Sequence, residues 1–312
     1  MKKLVIATRG SKLALWQAHH IKDELLKLDN SIEIELQICV TRGDQIQDRP
    51  LALVGGKGLF TKEIDEAMLR GEAQIAVHSM KDLPVVLPEE LQLCAFTERE
   101  DVRDAILSEK YDGLHELPKG ATVGTTSLRR RMNLYAERPD LNIVELRGNV
   151  DTRIRKLKEG EFDAIVLAAA GINRLELTKS VKYFAPIDVM FSIPSMGQGA
   201  LALQTVKDPF VVELVSKLND KASMMEVTIE RDFVAALEGG CQVPIGVSAA
   251  VLGNGDILVK SIVGLPNGTD LLRQTKVVKE DDYMTAGNML AQEMIDRGAK
   301  EILAHASEIA YK

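Results

Sequence analysis

What most limits the fold of this chain is an alternation of short apolar runs with helical patterns, repeated over its first two thirds. "LVIAT" (4–8) passes through Arg9, Gly10 and Ser11 into a helical spacing from Leu13 to Leu28. "IEIELQICV" (32–40) alternates with period two, as a half-buried strand does. "GGKGLFTKEIDEAMLRG" (55–71) reads as a glycine loop opening a helix. "QIAVHS" (74–79) reads as a strand running into "MKDLP", where Pro84 ends any regular element. Strand then helix, several times over, predicts βα units on a mainly parallel sheet.

The alternation stops at "TEREDVRDA" (97–105), a charged stretch read as a linker, and then resumes. "ATVGTTSLRRRMNLYAERPD", "NIVELRGNVDTRIRKLKEG" and "FDAIVLAAAGINRL" each give strand, turn, helix. "PSMGQGALALQT" (194–205) looks like a second crossing, with Gly197 and Gly199 providing a hinge-competent backbone. After Asp208 the pattern changes to two helices, three strand-like runs separated by "GNGD" and "PNGTD", and a last helix from Tyr283 to Arg297. Asn-Gly is a strong hairpin signal, so this tail is expected to be a small α+β domain. A length of 312 residues accommodates three domains. Two α/β blocks joined by hinges imply a cleft, with ligands at the carboxyl ends of strands and near helix N-termini.

The apolar fraction of 46% and charged fraction of 27% are those of an ordinary soluble protein. No apolar run is long enough for a membrane span, and "MKKLVIATRG" is too short in its apolar part for a secretory signal, so a cytoplasmic location is expected. The net charge of −7 argues against nucleic-acid binding. It hides a basic segment, because residues 129–174 carry a balance of +3 and the rest −10.

Four stretches sit between a strand and a helix: "TRGS" (8–11), "HSMKD" (78–82), "TTSLRR" (125–130) and "LRGNVDTR" (146–153). Any one of Ser11, Thr125, Thr126 and Ser127 reads alone as a helix N-cap. Together with Arg9, Arg129, Arg130, Arg147 and Arg153 they suggest a ligand carrying several carboxylates or phosphates, to which the guanidinium fork is suited. "GGKG" fails the phosphate-loop pattern, since Leu51 stands at its first glycine and Gly58 follows Lys57; it reads better as a mobile lid. Asp82 is the acid best placed to stabilise a cation, the alternative being a surface salt bridge to Lys81 or an arginine.

Three widely spaced cysteines offer neither a disulfide framework nor a zinc site, and His78 and Asp82 lack helical ligand spacing, so no metal site is expected. Cys39 and Cys94 lie in strand-like runs and read as inert buried thiols. Cys241 differs, lying in "LEGGCQVPIG" (237–246) between glycines and a proline. A nucleophile, a redox sensor, an attachment point and an accident all remain open there. Attachment fits such a loop best, since it needs access but no adjacent base. A hinged protein that only binds an acidic metabolite would share the cleft while leaving this thiol without a role.

"ATRGSKLALWQ", "VTRGD", "VGGKGLFTKE", "AVHSMKDLP", "GTTSLRR", "LRGNVDTR" and "LEGGCQVPIG" together resemble the signatures of the porphobilinogen deaminases, or hydroxymethylbilane synthases, from end to end and in order. The resemblance implies a three-domain α/β fold. Two domains like those of type-2 periplasmic binding proteins (1–99 with 199–217, and 100–198) would flank a cleft, and a small α+β domain (218–312) would follow. It implies a dipyrromethane cofactor held by a thioether to Cys241. Four porphobilinogen molecules would be joined to it with loss of ammonia, and hydroxymethylbilane released by hydrolysis. Asp82 would be the catalytic acid. Arg9, Ser11, Lys81, Thr125, Ser127, Arg129, Arg130, Arg147, Arg153 and Arg174 would bind cofactor and substrate carboxylates, with Lys57 and Phe60 on the cleft loop. A monomer without nucleic-acid or membrane partners is expected on the same ground. One departure is visible: Gln204 stands where the resemblance leads one to expect glutamate.

Overall fold

A computed structural model describes residues 2–45, 58–239 and 243–309 of the chain. Lys57 and Cys241 lie outside the described residues. The chain divides into two compact units, Met1–Glu100 with Ala200–Met224 and Asp101–Gly199 with Met225–Lys312.

The first unit is built on a five-stranded sheet. Its strands are β1 (Lys2–Arg9), β2 (Ile32–Cys39), β3 (Ile75–Ser79), β4 (Leu91–Phe96) and β10 (Leu201–Val206), in the order β2-β1-β3-β10-β4. β1 pairs in parallel with β2 and β3, whereas β10 runs antiparallel to both β3 and β4. The expected mainly parallel sheet is therefore found with one reversed strand inserted. Both faces are covered, which is why β1 is apolar along most of its length. Leu4 and Ile6 meet Ala18, Ile21 and Leu25 of the Lys12–Leu28 helix on one face. Val5 and Ala7 meet Ile64, Ala67 and Met68 of the Lys62–Leu69 helix on the other.

The second unit repeats this plan. β5 (Asp104–Ser108), β6 (Thr122–Gly124), β7 (Asn142–Val144), β8 (Ala164–Ala168) and β9 (Tyr183–Pro186) lie in the order β7-β6-β8-β5-β9. Again three strands are parallel neighbours and a fourth, β5, runs antiparallel to those beside it. In each sheet the reversed strand is the one entered directly from a crossing segment. The stretch read as a charged linker thus ends inside the second sheet, where Asp104 opens β5 and is fully buried.

The same unit holds a three-stranded antiparallel sheet of β11 (Ile245–Val251), β12 (Ile257–Val263) and β13 (Leu272–Val278), the meander that the Asn-Gly turns predict. A chain end with one expected helix carries two, Tyr283–Ile295 and Ala299–Ile309, separated by Gly298 at a φ of 94°. The first of them crosses the Lys221–Ala236 helix at Gly287, whose missing Cβ would stand 2.4 Å from the Ile229 carbonyl oxygen. Among the described residues no helix is long and apolar enough to cross a membrane.

Candidate active site

In the first unit, β1 and β3 are parallel neighbours and deliver their carboxyl ends side by side. The chain leaves β1 at Arg9 and turns at Gly10, and Ser11 caps the Lys12–Leu28 helix, its Oγ accepting from the Ala14 amide at 3.3 Å. The chain leaves β3 at Ser79 and folds into a single 3-10 turn, Met80–Asp82, closed by the Leu83 amide donating to the Met80 carbonyl. Gln17 of the helix donates to Ser79 Oγ at 2.8 Å, tying the two strand ends together. A cavity of about 70 Å³ opens here, with Arg9, Ser11, Gln17, Phe60, His78 and Asp82 in its wall. Sequence reasoning placed Arg9, Ser11, Phe60 and Asp82 in one site, and these four do meet.

Arg9 is held on two sides. Its guanidinium is paired with Asp44, with Nε at 3.1 Å from Oδ2, and the Phe60 ring lies over it at 4.1 Å. Thr41 donates to the same carboxylate at 2.7 Å. Burial pushes the Asp44 carboxyl up, but the hydrogen bonds from Arg9 and Thr41 and the Arg9 charge outweigh it, and the net shift is downward. Phe60 reaches Arg9 because residue 43 is glycine; a Cβ there would stand 2.3 Å from the ring. Asp82 is half-buried in the wall, and no ion pair with Lys81 or an arginine is found for it among the described residues.

His78, set aside as a metal ligand, is buried in β3, and its Nε2 lies 2.9 Å from Gln204 Oε1. Burial lowers its pKa to about 4, so the ring is neutral at physiological pH. Gln204, the residue that departs from the expected glutamate, is fully buried and also donates to Asp65 at 2.9 Å.

The second unit gathers the basic residues differently from the expectation. Ser127 caps the Leu128–Glu137 helix, accepting from the Arg130 amide at 3.4 Å, and Thr125 Oγ1 accepts from the Ser127 amide at 3.3 Å. Arg129 and Arg130 follow the cap and turn inward. Arg129 reaches Asp104 at 2.7 and 3.2 Å, and Arg130 reaches it at 2.9 and 2.8 Å. Ser192 and Gln198 each add a hydrogen bond to this carboxylate at 3.1 Å. Burial pushes Asp104 up, but the two guanidiniums and these hydrogen bonds outweigh it and hold it far below the usual carboxylate range.

Arg147 lies 3.4 Å from Glu145, and Arg153 donates to the Gly148 carbonyl at 2.8 Å, both at the N-terminal end of the Val150–Lys158 helix that Asn149 caps. Arg174 is buried and donates to the Gly199 carbonyl at 2.7 Å, so it braces the crossing segment. Sequence reasoning missed Asp44, Asp65 and Asp104. Each partners a residue far away in the chain, and a lone aspartate in a helix or at the start of a strand carries no local mark of that.

Both halves match known family models. Residues 4–213 match porphobilinogen deaminase, dipyromethane cofactor binding domain, and residues 224–296 match porphobilinogen deaminase, C-terminal domain. The curated porphobilinogen deaminase of Sulfurimonas denitrificans is 60% identical over 306 residues, 98% of each chain. That of Nitratiruptor sp. is 57% identical over 310 residues, 99% of each. A TRAP periplasmic solute binding protein from Desulfovibrio salexigens superposes with a TM-score of 0.42 at 12% identity, over 70% of this chain and 72% of its own, too distant a likeness to carry weight. With both models matched in order and relatives this similar over nearly the full length, the chain belongs to the porphobilinogen deaminase family and carries that family's dipyrromethane cofactor binding domain.

Proposed function

We propose that this chain joins four porphobilinogen molecules head to tail onto a dipyrromethane tethered to Cys241, releasing ammonia at each addition, and then frees hydroxymethylbilane by hydrolysis. The observation that carries the reading is the position of Asp82. It stands on a one-turn platform at the carboxyl ends of two parallel strands, in a cavity wall shared with a guanidinium and a helix N-terminus. Loss of ammonia from the substrate's aminomethyl carbon leaves positive charge spread onto the pyrrole nitrogen. A carboxylate fixed beside that charge stabilises it, and the same oxygen can take the pyrrole α-proton after coupling. Arg9 and the capped helix start at Ser11 favour an acidic side arm next to that centre.

The chemistry of the donors fits the group. A dipyrromethane with acetate and propionate arms needs cations and helix N-termini, and Arg9, Ser11, Lys81, Thr125, Ser127, Arg129, Arg130, Arg147, Arg153 and Arg174 are the residues assigned to hold it and the substrate. Bound there, it supplies a nucleophilic pyrrole carbon as primer. In this reading Lys57 and Phe60 close the site, residues 1–99 with 199–217, 100–198 and 218–312 form three domains, and the protein works as a cytoplasmic monomer.

Mass spectrometry of the intact purified protein should give a chain heavier by about two pyrrole units, and alkylation-resistant Cys241 in its digest. An unmodified mass in active protein overturns the tether. Asp82→Asn should fold with an unchanged melting temperature and lose at least about 10²-fold in kcat, the usual scale for a lost charge-stabilising group. Turnover within twofold of the parent removes Asp82 from its role.

A further inference from the structure

Three polar side chains line up across the helix-covered face of the first sheet: Asp65 on the Lys62–Leu69 helix, Gln204 on β10 and His78 on β3. In the β3–β10 register Ala202 stands opposite His78 and Gln204 opposite Ala76, so the side chains of His78 and Gln204 rise from one face on diagonal positions. Gln204 is fully buried, donates from Nε2 to Asp65 at 2.9 Å and meets His78 Nε2 with its Oε1 at 2.9 Å. Hydrogen-bonding capacity sets the direction of the whole row. Burial raises the Asp65 carboxyl and the Gln204 hydrogen bond opposes that rise; as a carboxylate Asp65 only accepts, so the amide nitrogen of Gln204 faces it at 2.9 Å, the amide oxygen faces the ring, and Nε2 carries the hydrogen. Neutral imidazole in that tautomer keeps its lone pair on Nδ1. The same ring lies in the wall of the cavity that holds Asp82.

We infer that Asp65 and Gln204 fix the Nε2–H tautomer of His78 in a ring that its buried place keeps neutral, and that His78 is thereby a positioning residue that keeps a second cation away from Asp82. The inference rests on Asp82 acting as a cation-stabilising carboxylate. An imidazolium in this wall would pair with Asp82 and compete with the positive charge that develops on the substrate, whereas a neutral ring leaves the carboxylate available. Asp82 from the turn and Arg9 from β1, itself paired with Asp44, are the charges that act on His78, while Asp65 on the helix reaches it through Gln204 and has Glu66 beside it. Burial is the largest influence on the ring and favours the neutral form. The Gln204 hydrogen bond and Asp82 oppose it, and Arg9 supports it. An amide at position 204 adds no charge to this balance, but a carboxylate there would draw a proton onto the ring.

The direct test is side-chain ¹⁵N NMR of the histidines in the full-length, cofactor-loaded protein, with His78 assigned from its loss in His78→Gln. An Nε2–H tautomer that stays neutral from pH 8 down to about pH 5 is expected. An Nδ1–H tautomer, or protonation near the ordinary histidine value of about 6.5, overturns the inference without touching the assignment of Asp82. The second test is Gln204→Glu. His78 should then titrate at a raised pH, and kcat should fall about tenfold per pH unit below that midpoint with KM little changed. Adding His78→Gln to Gln204→Glu should abolish that acid limb, because an amide cannot become a cation. A kcat profile that does not follow the His78 titration, or a limb that survives in the double variant, refutes the positioning role.

Discussion

Asp104→Asn tests how much of the second unit depends on one buried carboxylate. Asp104 is fully buried and accepts from four guanidinium nitrogens, one hydroxyl and one amide, all within 3.2 Å. The side chains of Arg129 and Arg130 are only 5% and 8% exposed. Asparagine keeps the shape and one carbonyl oxygen, but it turns an NH₂ toward donors and takes from Arg129 and Arg130 the carboxylate that pairs with both. Removing one partner of a buried ion pair costs about 3–5 kcal/mol. For a unit of this size each kcal/mol lowers the melting temperature by roughly 2–4 °C, so a fall on the order of 10 °C is expected. Scanning calorimetry at neutral pH reads it, with Ser192→Ala as the control that removes one neutral donor for about 1 kcal/mol. The pH dependence has a definite sign. The folded carboxyl lies far below the unfolded value of about 3.9. Its contribution is therefore complete above about pH 4, is lost as pH falls through the folded value, and is missing from the variant. A shift of less than about 3 °C would show that the guanidiniums find other partners, and the account of this cluster would fail.

Two further changes probe one support in each unit. Gly43→Ala places a methyl group 2.3 Å from the Phe60 ring, so the ring must leave Arg9; overpacking of this kind costs about 1–3 kcal/mol in urea denaturation, and a loss under 0.5 kcal/mol speaks against the contact. Glu230 is fully buried and accepts from the Gly197 amide at 2.6 Å and the Ala249 amide at 2.8 Å, fastening the crossing segment to β11. Glu230→Ala removes the acceptor of both hydrogen bonds, at about 1–3 kcal/mol each, and should speed hydrogen exchange at those two positions; unchanged exchange there refutes the clamp.

Much of this architecture could be read from the sequence because its signals are local. An apolar run ending in Arg9-Gly-Ser or in Ser-Met-Lys-Asp marks a strand end by itself, and Ser11 and Ser127 cap the helices that follow them, as their positions predict. The reversed strands could not be read, because "ALALQT" has the same composition whichever way it runs, and its direction follows from the crossing that delivers it. The partners of the basic segment could not be read for a related reason. Asp104, which pairs with Arg129 and Arg130, lies 25 residues upstream of Arg129 and outside the stretch over which the +3 balance was counted. Arg138 and Arg155 pair with Asp140 and Glu159, and Arg174 braces a carbonyl.

Charge in a sequence is additive, whereas charge in a fold is set by pairing across distance. The two guanidiniums that Asp104 holds give the Leu128–Glu137 helix a rigid start, whereas Arg147 and Arg153 stand at the start of the Val150–Lys158 helix with weaker holds, Arg147 at 3.4 Å from Glu145 and Arg153 on the Gly148 carbonyl. On this argument loss of Asp104 should be read first in the stability of the second unit, whereas Arg147→Ala and Arg153→Ala should leave the melting temperature within about 1–2 °C, as exposed pairs do, and raise KM for porphobilinogen; a KM unchanged in both would remove these two arginines from the proposed binding set.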